Sequence, residues 1–152
     1  MSTQIKTGKW TVYADGACAP SNPGPSGWGM VLIAPDGKTE TDHFGFIGHG
    51  TNQIAELTAA IEGLSLIPPG EHVELVSDSQ YVLKGLSEWR AAWERKGFRN
   101  SKGEPVANQA LWKKLFALAD QRKVDTRWVR GHNGDPYNER ADALANKALR
   151  AA

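Results

Sequence analysis

The stretch Lys9–Ala17, KWTVYADGA, decides the fold, because it predicts a β-strand that carries an acid to its end. The stretch is rich in β-forming residues and closes on Asp15 and Gly16, a pair typical of a strand end. The segment that follows, APSNPGPSG at residues 19–27, is predicted to be a loop because Pro, Gly and Ser dominate it. The pattern therefore indicates a strand that delivers a carboxylate to the edge of a sheet.

The rest of the chain alternates strands and helices. Two strands, Trp28–Ala34 and Thr39–His49, follow at hairpin distance, and two more are predicted at Val73–Ser77 and Val124–Arg130. The predicted helices are Thr51 or Asn52 to Ile67, Ser79–Leu86, Glu88–Lys96, Asn108–Arg122 and Tyr137–Arg150. Three hairpin-linked strands followed by strands separated by helices predict an α/β fold. Its mixed five-stranded sheet would have three antiparallel strands plus two parallel ones, flanked by helices.

Length and composition favour one compact domain. The chain has 152 residues and 40% hydrophobic content, so we expect a single domain over 1–152 with a core from about residue 9 to 149. Its only cysteine, Cys18, excludes an intrachain disulfide and favours a reducing cytoplasm. No apolar stretch is long enough to predict a membrane span. Nothing in the sequence indicates an oligomer, so we expect a monomer.

The charge is unevenly distributed along the chain. The segment Lys84–Arg130 has 12 Lys/Arg against 5 Asp/Glu, whereas the remainder has 6 Lys/Arg against 12 Asp/Glu. Such a division suits a protein that holds a polyanion with one part and cations with another. An ordinary solvated helix surface is the alternative.

Four acids are candidates for one metal site. Asp15 and Asp78 are each predicted at a strand end, while Glu56 and Asp142 flank apolar stripes of predicted helices. Taken singly, the first two can be turn or capping residues and the last two polar edges of amphipathic helices. If they converge, their mutual repulsion raises their pKa values unless a cation neutralises them. Mg²⁺ suits an all-oxygen site with open positions.

Five blocks in this order resemble the bacterial type 1 ribonuclease H family, from about Lys9 to Leu149. The blocks are Tyr13–Cys18 with Asn22–Pro25, Asn52 with Glu56-Leu57, Ser77–Val82, Trp128–His132, and Asn138–Asp142. The resemblance implies a ribonuclease H-like fold and an endoribonuclease that cuts the RNA strand of an RNA–DNA hybrid.

The resemblance also implies a two-metal mechanism. Asp15, Glu56, Asp78 and Asp142 would bind two Mg²⁺ about 4 Å apart, with Mn²⁺ as a possible substitute. One ion would activate the attacking water and the other would stabilise the leaving 3′ oxygen, giving 5′-phosphate and 3′-hydroxyl ends. His132, in a Gly-rich loop, would be the mobile residue that moves a proton or helps product leave. Without the resemblance it would be interpreted as an exposed loop residue.

Substrate contacts are likewise implied by the resemblance. The RNA strand would meet Cys18, Asn22, Asn52 and Gln80. The DNA strand would cross the basic region, where Trp89 and Trp93 offer flat rings and Lys96 approaches phosphate, with Thr51 and Asn108 in a phosphate pocket. Core packing is the alternative for the two tryptophans.

Four positions depart from many relatives. His49 and Ile54 stand where Arg is common, and Glu94 and Glu104 make the basic region less basic. We therefore expect modest hybrid affinity that depends strongly on salt.

Two other functions remain open from the sequence. One is a catalytically silent hybrid- or duplex-binding module on the same fold. The other is a different nuclease or strand-transfer enzyme of that fold, such as a resolvase or transposase core.

Overall fold

The architecture is a five-stranded sheet with helices on both faces. A computed structural model describes residues 8–131 and 134–150. The strands are β1 (Trp10–Cys18), β2 (Gly24–Ile33), β3 (Glu40–Gly50), β4 (His72–Ser77) and β5 (Lys123–Trp128). The helices are α1 (Asn52–Ser65), α2 (Gln80–Lys84), α3 (Arg90–Arg95), α4 (Gln109–Asp120) and α5 (Pro136–Arg150), with a π-helical turn, Gly85–Trp89, between α2 and α3.

The strand order is β3-β2-β1-β4-β5. β1 pairs antiparallel with β2, and β2 with β3, as expected for hairpin-linked strands. β4 pairs in parallel with both β1 and β5, because each connection between these strands runs through helices. The predicted α/β class and the mixed sheet are confirmed.

The boundaries of several predicted elements were wrong. β2 begins at Gly24, not Trp28, because Ser26 and Gly27 pair with Cys18 and Ala17 despite their loop-forming composition. Tertiary pairing here overrides local propensity. The two helices predicted over 79–96 form one continuous helical path, in which the π-helical turn replaces the expected break. The first helix ends at Ser65 rather than Ile67, and Leu66 caps it through its backbone N–H.

The core lies on both faces of the sheet. On one face, α1 and α4 bury the main cluster, which includes Val12, Leu57, Leu75 and Trp112. On the other face, α5 covers a smaller cluster around Val31, Val76 and Ala141. None of the described helices combines the length and apolar character that a membrane crossing requires.

Two glycines let helices touch the central strands. A Cβ at Gly16 would lie 2.4 Å from the carbonyl carbon of Ala55 in α1. A Cβ at Gly29 would lie 2.5 Å from the backbone nitrogen of Ala145 in α5. Real Cβ contacts are not this short, so only glycine permits the approach. The two helices that carry Glu56 and Asp142 are therefore seated directly on the sheet backbone.

Candidate active site

Asp15 and Asp78 lie side by side at one end of the parallel strands. The ladder between β1 and β4 ends at the pair Tyr13 and Val76. Each acid lies two residues beyond that pair, so the register places the two acids next to each other on adjacent segments of the sheet. Asp15 does not end β1 as predicted, because β1 continues to Cys18 against β2. It does mark the end of the β1–β4 pairing, which is what brings the two acids together.

Glu56 approaches from α1. The side chain of Thr51 caps this helix, its Oγ1 accepting a hydrogen bond from the backbone N–H of Ile54 at 3.1 Å. In the second turn, Glu56 Oε1 accepts from the backbone N–H of Gly16 at 3.0 Å. This bond ties the glutamate to β1 beside Asp15, whose Oδ1 accepts from the same N–H at 2.9 Å.

Asp142 approaches from α5 on the opposite face of the sheet. One turn later, Asn146 donates through Nδ2 to the backbone carbonyl of Asp142 at 2.9 Å, with Asp142 Oδ1 3.4 Å away. Asn146 was not among the residues predicted for the site. Its spacing of four residues from Asp142 on a helix is the signal that could have found it.

The acids line one cavity of about 440 Å³. Its walls are Asp15, Gly16, Ala17, Cys18, Ala19, Asn52, Glu56, Asp78, Asp142 and Asn146. One carboxylate oxygen each from Asp15, Glu56 and Asp78 lies within 4.8 Å of the other two. All-oxygen donors at this spacing fit a hard divalent cation such as Mg²⁺.

Burial and mutual repulsion perturb two of these carboxyls. Asp15 is only 4% exposed, and burial, followed by the charges of Glu56 and Asp78, raises its pKa to about 10. Burial, followed by the charge of Asp78, raises the pKa of Glu56 to about 8. Without a metal, the carboxyls of Asp15 and Glu56 therefore favour the protonated form at neutral pH, and a bound cation would favour the ionised form.

These shifts predict how stability depends on pH. An acid whose pKa is raised by folding stabilises the protein below its ordinary pKa, and this stabilisation is lost as pH rises through the folded value. We expect the metal-free protein to melt at least about 5 °C lower at pH 9 than at pH 6, because one pKa unit is worth about 1.4 kcal/mol. Thermal unfolding in a chelator measures this. Asp15→Asn or saturating Mg²⁺ should flatten the dependence, and equal slopes for the variant and the wild type would contradict it.

The residues expected to meet RNA divide between two places. Cys18 and Asn52 line the cavity, and Asn22 Oδ1 accepts from the backbone N–H of Asn52 at 3.0 Å. Gln80, the first residue of α2, lies instead on the wall of a neighbouring pocket. His132 lies outside the described residues. Its neighbour Gly131 approaches the site, since a Cβ there would lie 2.7 Å from Asp78 Oδ2.

The two tryptophans expected to meet DNA belong to an aromatic cluster. The rings of Trp89 and Trp93 are 5.7 Å apart, and Trp93 packs on the buried Trp112 at 5.0 Å. Both are partly exposed, so core packing accounts for part of each ring and leaves another part accessible. Lys96 is exposed directly after α3.

Two of the expected substrate residues have structural roles, and one of the acids in the basic region is ion-paired. Thr51 caps α1, and Asn108, in a left-handed conformation before α4, donates through Nδ2 to Tyr81 Oη at 3.1 Å. Glu94 forms an ion pair with Arg90 at 2.8 Å, and Arg90 also pairs with Asp120 at 2.7 Å, so one cation is shared between two acids. His49 and Glu104 are exposed, and Ile54 is half-buried in α1.

Comparison with known proteins identifies relatives of this chain. The family model described as RNase H matches residues 7–150. Ribonuclease HI of Caulobacter vibrioides is 49% identical over 146 residues, which is 96% of each protein. The crystal structure of LC9-RNase H1, a type 1 RNase H with the type 2 active-site motif, has a TM-score of 0.83 at 28% identity. That match covers 98% of this chain and 75% of that one.

A further structure, LC11-RNase H1 in complex with RNA/DNA hybrid, shares the fold. Its TM-score is 0.67 at 24% identity, over 94% of this chain and 98% of that one. Since the family model spans nearly all of the sequence and a bacterial relative matches it end to end, the chain belongs to the bacterial type 1 branch of the ribonuclease H family of endoribonucleases.

Proposed function

We propose that this protein hydrolyses the RNA strand of RNA–DNA hybrids, leaving 5′-phosphate and 3′-hydroxyl ends. The observation that carries the proposal is the cavity where Asp15, Glu56 and Asp78 bring carboxylate oxygens within 4.8 Å of one another. Family membership supplies the substrate class. A pure binding module gains nothing from clustered acids beside phosphates, because like charges repel.

The four acids would hold two Mg²⁺, for which Mn²⁺ can substitute. When bound, the ions supply Lewis-acid stabilisation of the scissile phosphate and lower the pKa of a bound water. Asp15 and Glu56, tied together through the N–H of Gly16, form a rigid part of the donor set. Asp142 completes it from α5, where Asn146 bonds to its backbone and stands beside its carboxylate.

His132 has the role of moving a proton or helping the product leave. An imidazole titrates near neutral pH, which suits such exchange. It directly follows Gly131, which lies against the Asp78 carboxylate. We expect His132→Ala to slow turnover more than it weakens binding.

Recognition of the hybrid requires a reading of the RNA 2′-hydroxyl groups. Cys18, Asn22, Asn52 and Gln80 are the groups proposed to contact the RNA strand. The proposed DNA contacts are Trp89, Trp93, Lys96, Thr51 and Asn108, with the exposed ring portions meeting sugar and Lys96 meeting phosphate. The protein would act as a monomer in the cytoplasm, where the free thiol of Cys18 stays reduced.

Cleavage of a strand-labelled hybrid in Mg²⁺ tests the proposal, alongside duplex RNA and duplex DNA. We expect cutting of the hybrid's RNA strand alone, and complete loss of cutting in a chelator. Binding without cleavage in either Mg²⁺ or Mn²⁺ would instead identify a binding module. Cleavage of duplex DNA would indicate another nuclease of this fold.

Hybrid affinity should fall steeply with salt. Each phosphate contact releases a counterion, so a few contacts from the basic region give a log–log slope of about −3 or steeper. Titration of a labelled hybrid at salt concentrations from about 50 to about 200 mM measures the slope. A flat dependence would remove the basic region from the interface.

A further inference from the structure

A pocket of about 270 Å³ lies between α2, the π-helical turn and the edge strand β5, and Trp128 on its wall is hydrogen-bonded to Asp78, which lines the carboxylate cavity. Six of the residues that line it are Gln80, Leu83, Lys84, Glu88, Thr126 and Trp128. No role in the proposed reaction accounts for the pocket as a whole. Only Gln80 among these residues is a proposed RNA contact.

Trp128 presents an aromatic face beside the site of cleavage. Its side chain is on the surface, with 45% of the residue exposed. Its Nε1 donates to the backbone carbonyl of Asp78 at 3.2 Å, which fixes the indole next to this acid. An exposed, anchored indole is a ready platform on which a nucleobase can stack.

The polar groups of the pocket suit a base better than a phosphate. Lys84 and Glu88 are both exposed, and within the part of the chain that the structure describes neither forms an ion pair. Their charges offset each other, so the pocket does not concentrate positive charge. Together with the Gln80 amide they offer hydrogen-bond donors and acceptors, while Leu83 supplies an apolar surface.

We propose that this pocket receives one unpaired ribonucleotide of the RNA strand, stacked on Trp128, where that strand leaves the hybrid duplex. The inference rests on the proposed function, since the RNA strand must reach Asp78. A paired base has its faces and its Watson–Crick edge covered, whereas an unpaired base exposes both. The pocket is slightly smaller than the range of about 300–1,000 Å³ for drug-sized ligands, so it suits one nucleotide and not a duplex.

The test compares a blunt hybrid with hybrids whose RNA strand carries a single-stranded extension of about two nucleotides at the 5′ or the 3′ end. The first unpaired ribonucleotide is 2-aminopurine, whose fluorescence falls on stacking. Binding is measured in Ca²⁺, under conditions that give no cleavage. The variants are Trp128→Ala, Trp128→Phe, and Phe46→Ala as the matched control, because Phe46 is an aromatic residue with 49% exposure on β3.

We expect one of the extended hybrids to bind the wild type more tightly than the blunt one and to be quenched. Trp128→Ala should remove the quenching and weaken binding of that hybrid about 5- to 100-fold, with little change for the blunt hybrid. Trp128→Phe should retain most of both effects, and Phe46→Ala should behave as the wild type.

Two results would overturn the proposal. One is an extension that neither tightens binding nor is quenched at either end. The other is an equal loss of affinity for the blunt and the extended hybrids in Trp128→Ala, which would show that Trp128 acts by holding Asp78 in position. Failure of the proposed function is seen separately, as a wild type that does not cut the blunt hybrid in Mg²⁺.

Discussion

Asp78→Asn should reduce cleavage of the hybrid's RNA strand at least about 10³-fold while the protein stays folded. The substitution keeps the shape of the side chain but removes one of three carboxylates whose oxygens lie within 4.8 Å of one another. A bound divalent cation would lose a carboxylate ligand, and the phosphate would lose the cation's stabilisation. Single-turnover cleavage of a labelled hybrid gives the rate, and calorimetric titration with Mg²⁺ gives the affinity.

Glu74→Gln provides the matched control for this change. Glu74 lies on the same strand, β4, but forms surface ion pairs with Lys9 and Arg127 away from the cavity. Its loss should alter cleavage less than about twofold, because such pairs contribute little. An Asp78→Asn variant whose cleavage rate stayed within about tenfold of the wild type, a loss of about 1.4 kcal/mol or less, would exclude this acid from the reaction.

Trp112→Ala should lower the free energy of unfolding by about 3–5 kcal/mol, the largest stability effect we expect in this protein. The ring is fully buried between Trp93, Tyr81 and Phe116, with ring centroids 5.0 to 5.5 Å from its own. Its removal leaves a cavity and takes away the hydrogen bond from Trp112 Nε1 to Tyr81 Oη, 3.1 Å long. Urea unfolding followed by circular dichroism measures the loss.

The same change should weaken binding of the hybrid. Trp93 packs on Trp112, so the helix that carries Trp93 and leads to Lys96 loses its support. Trp128→Ala is the stability control, since that residue is 45% exposed and its truncation should change the free energy of unfolding by less than about 1 kcal/mol. Equal losses in the free energy of unfolding from the two substitutions would show that burial of the ring does not decide the size of the stability loss.

The sequence predicted the strands and the fold class well because alternation and turn residues act locally. It placed residues 19–27 in a loop, whereas Gly24–Gly27 belong to β2. This pairing depends on Ala17 and Cys18 across the strand, which local propensity does not contain. The π-helical turn at Gly85–Trp89 was missed for a similar reason, since Gly85 lies directly against the ring of Trp112 from a distant helix.

The candidate site was predictable as a set of acids but not as a geometry. Asp15 and Asp78 stood out at predicted strand ends, and Glu56 and Asp142 beside the apolar stripes of predicted helices, whereas their shared role as metal ligands relied on resemblance to a family. The structure adds the shared N–H of Gly16, which places Glu56 beside Asp15. It also adds Asn146 and Trp128, whose hydrogen bonds to Asp142 and Asp78 are made only in the folded chain.

Because of the glycine contacts of the two acid-bearing helices, the spacing of the acids does not depend on the side chains that fill the core. At Gly16 and Gly29, main chain meets main chain with no intervening side chains whose size could vary. The spacing between Glu56, Asp142 and the end of β1 is therefore set by the backbone itself. Substitutions that conserve volume elsewhere under α1 and α4 can change melting temperature, and such changes are well tolerated in cores. Evolution or protein engineering can thus change the melting temperature of this enzyme while the distances between its carboxylates stay the same.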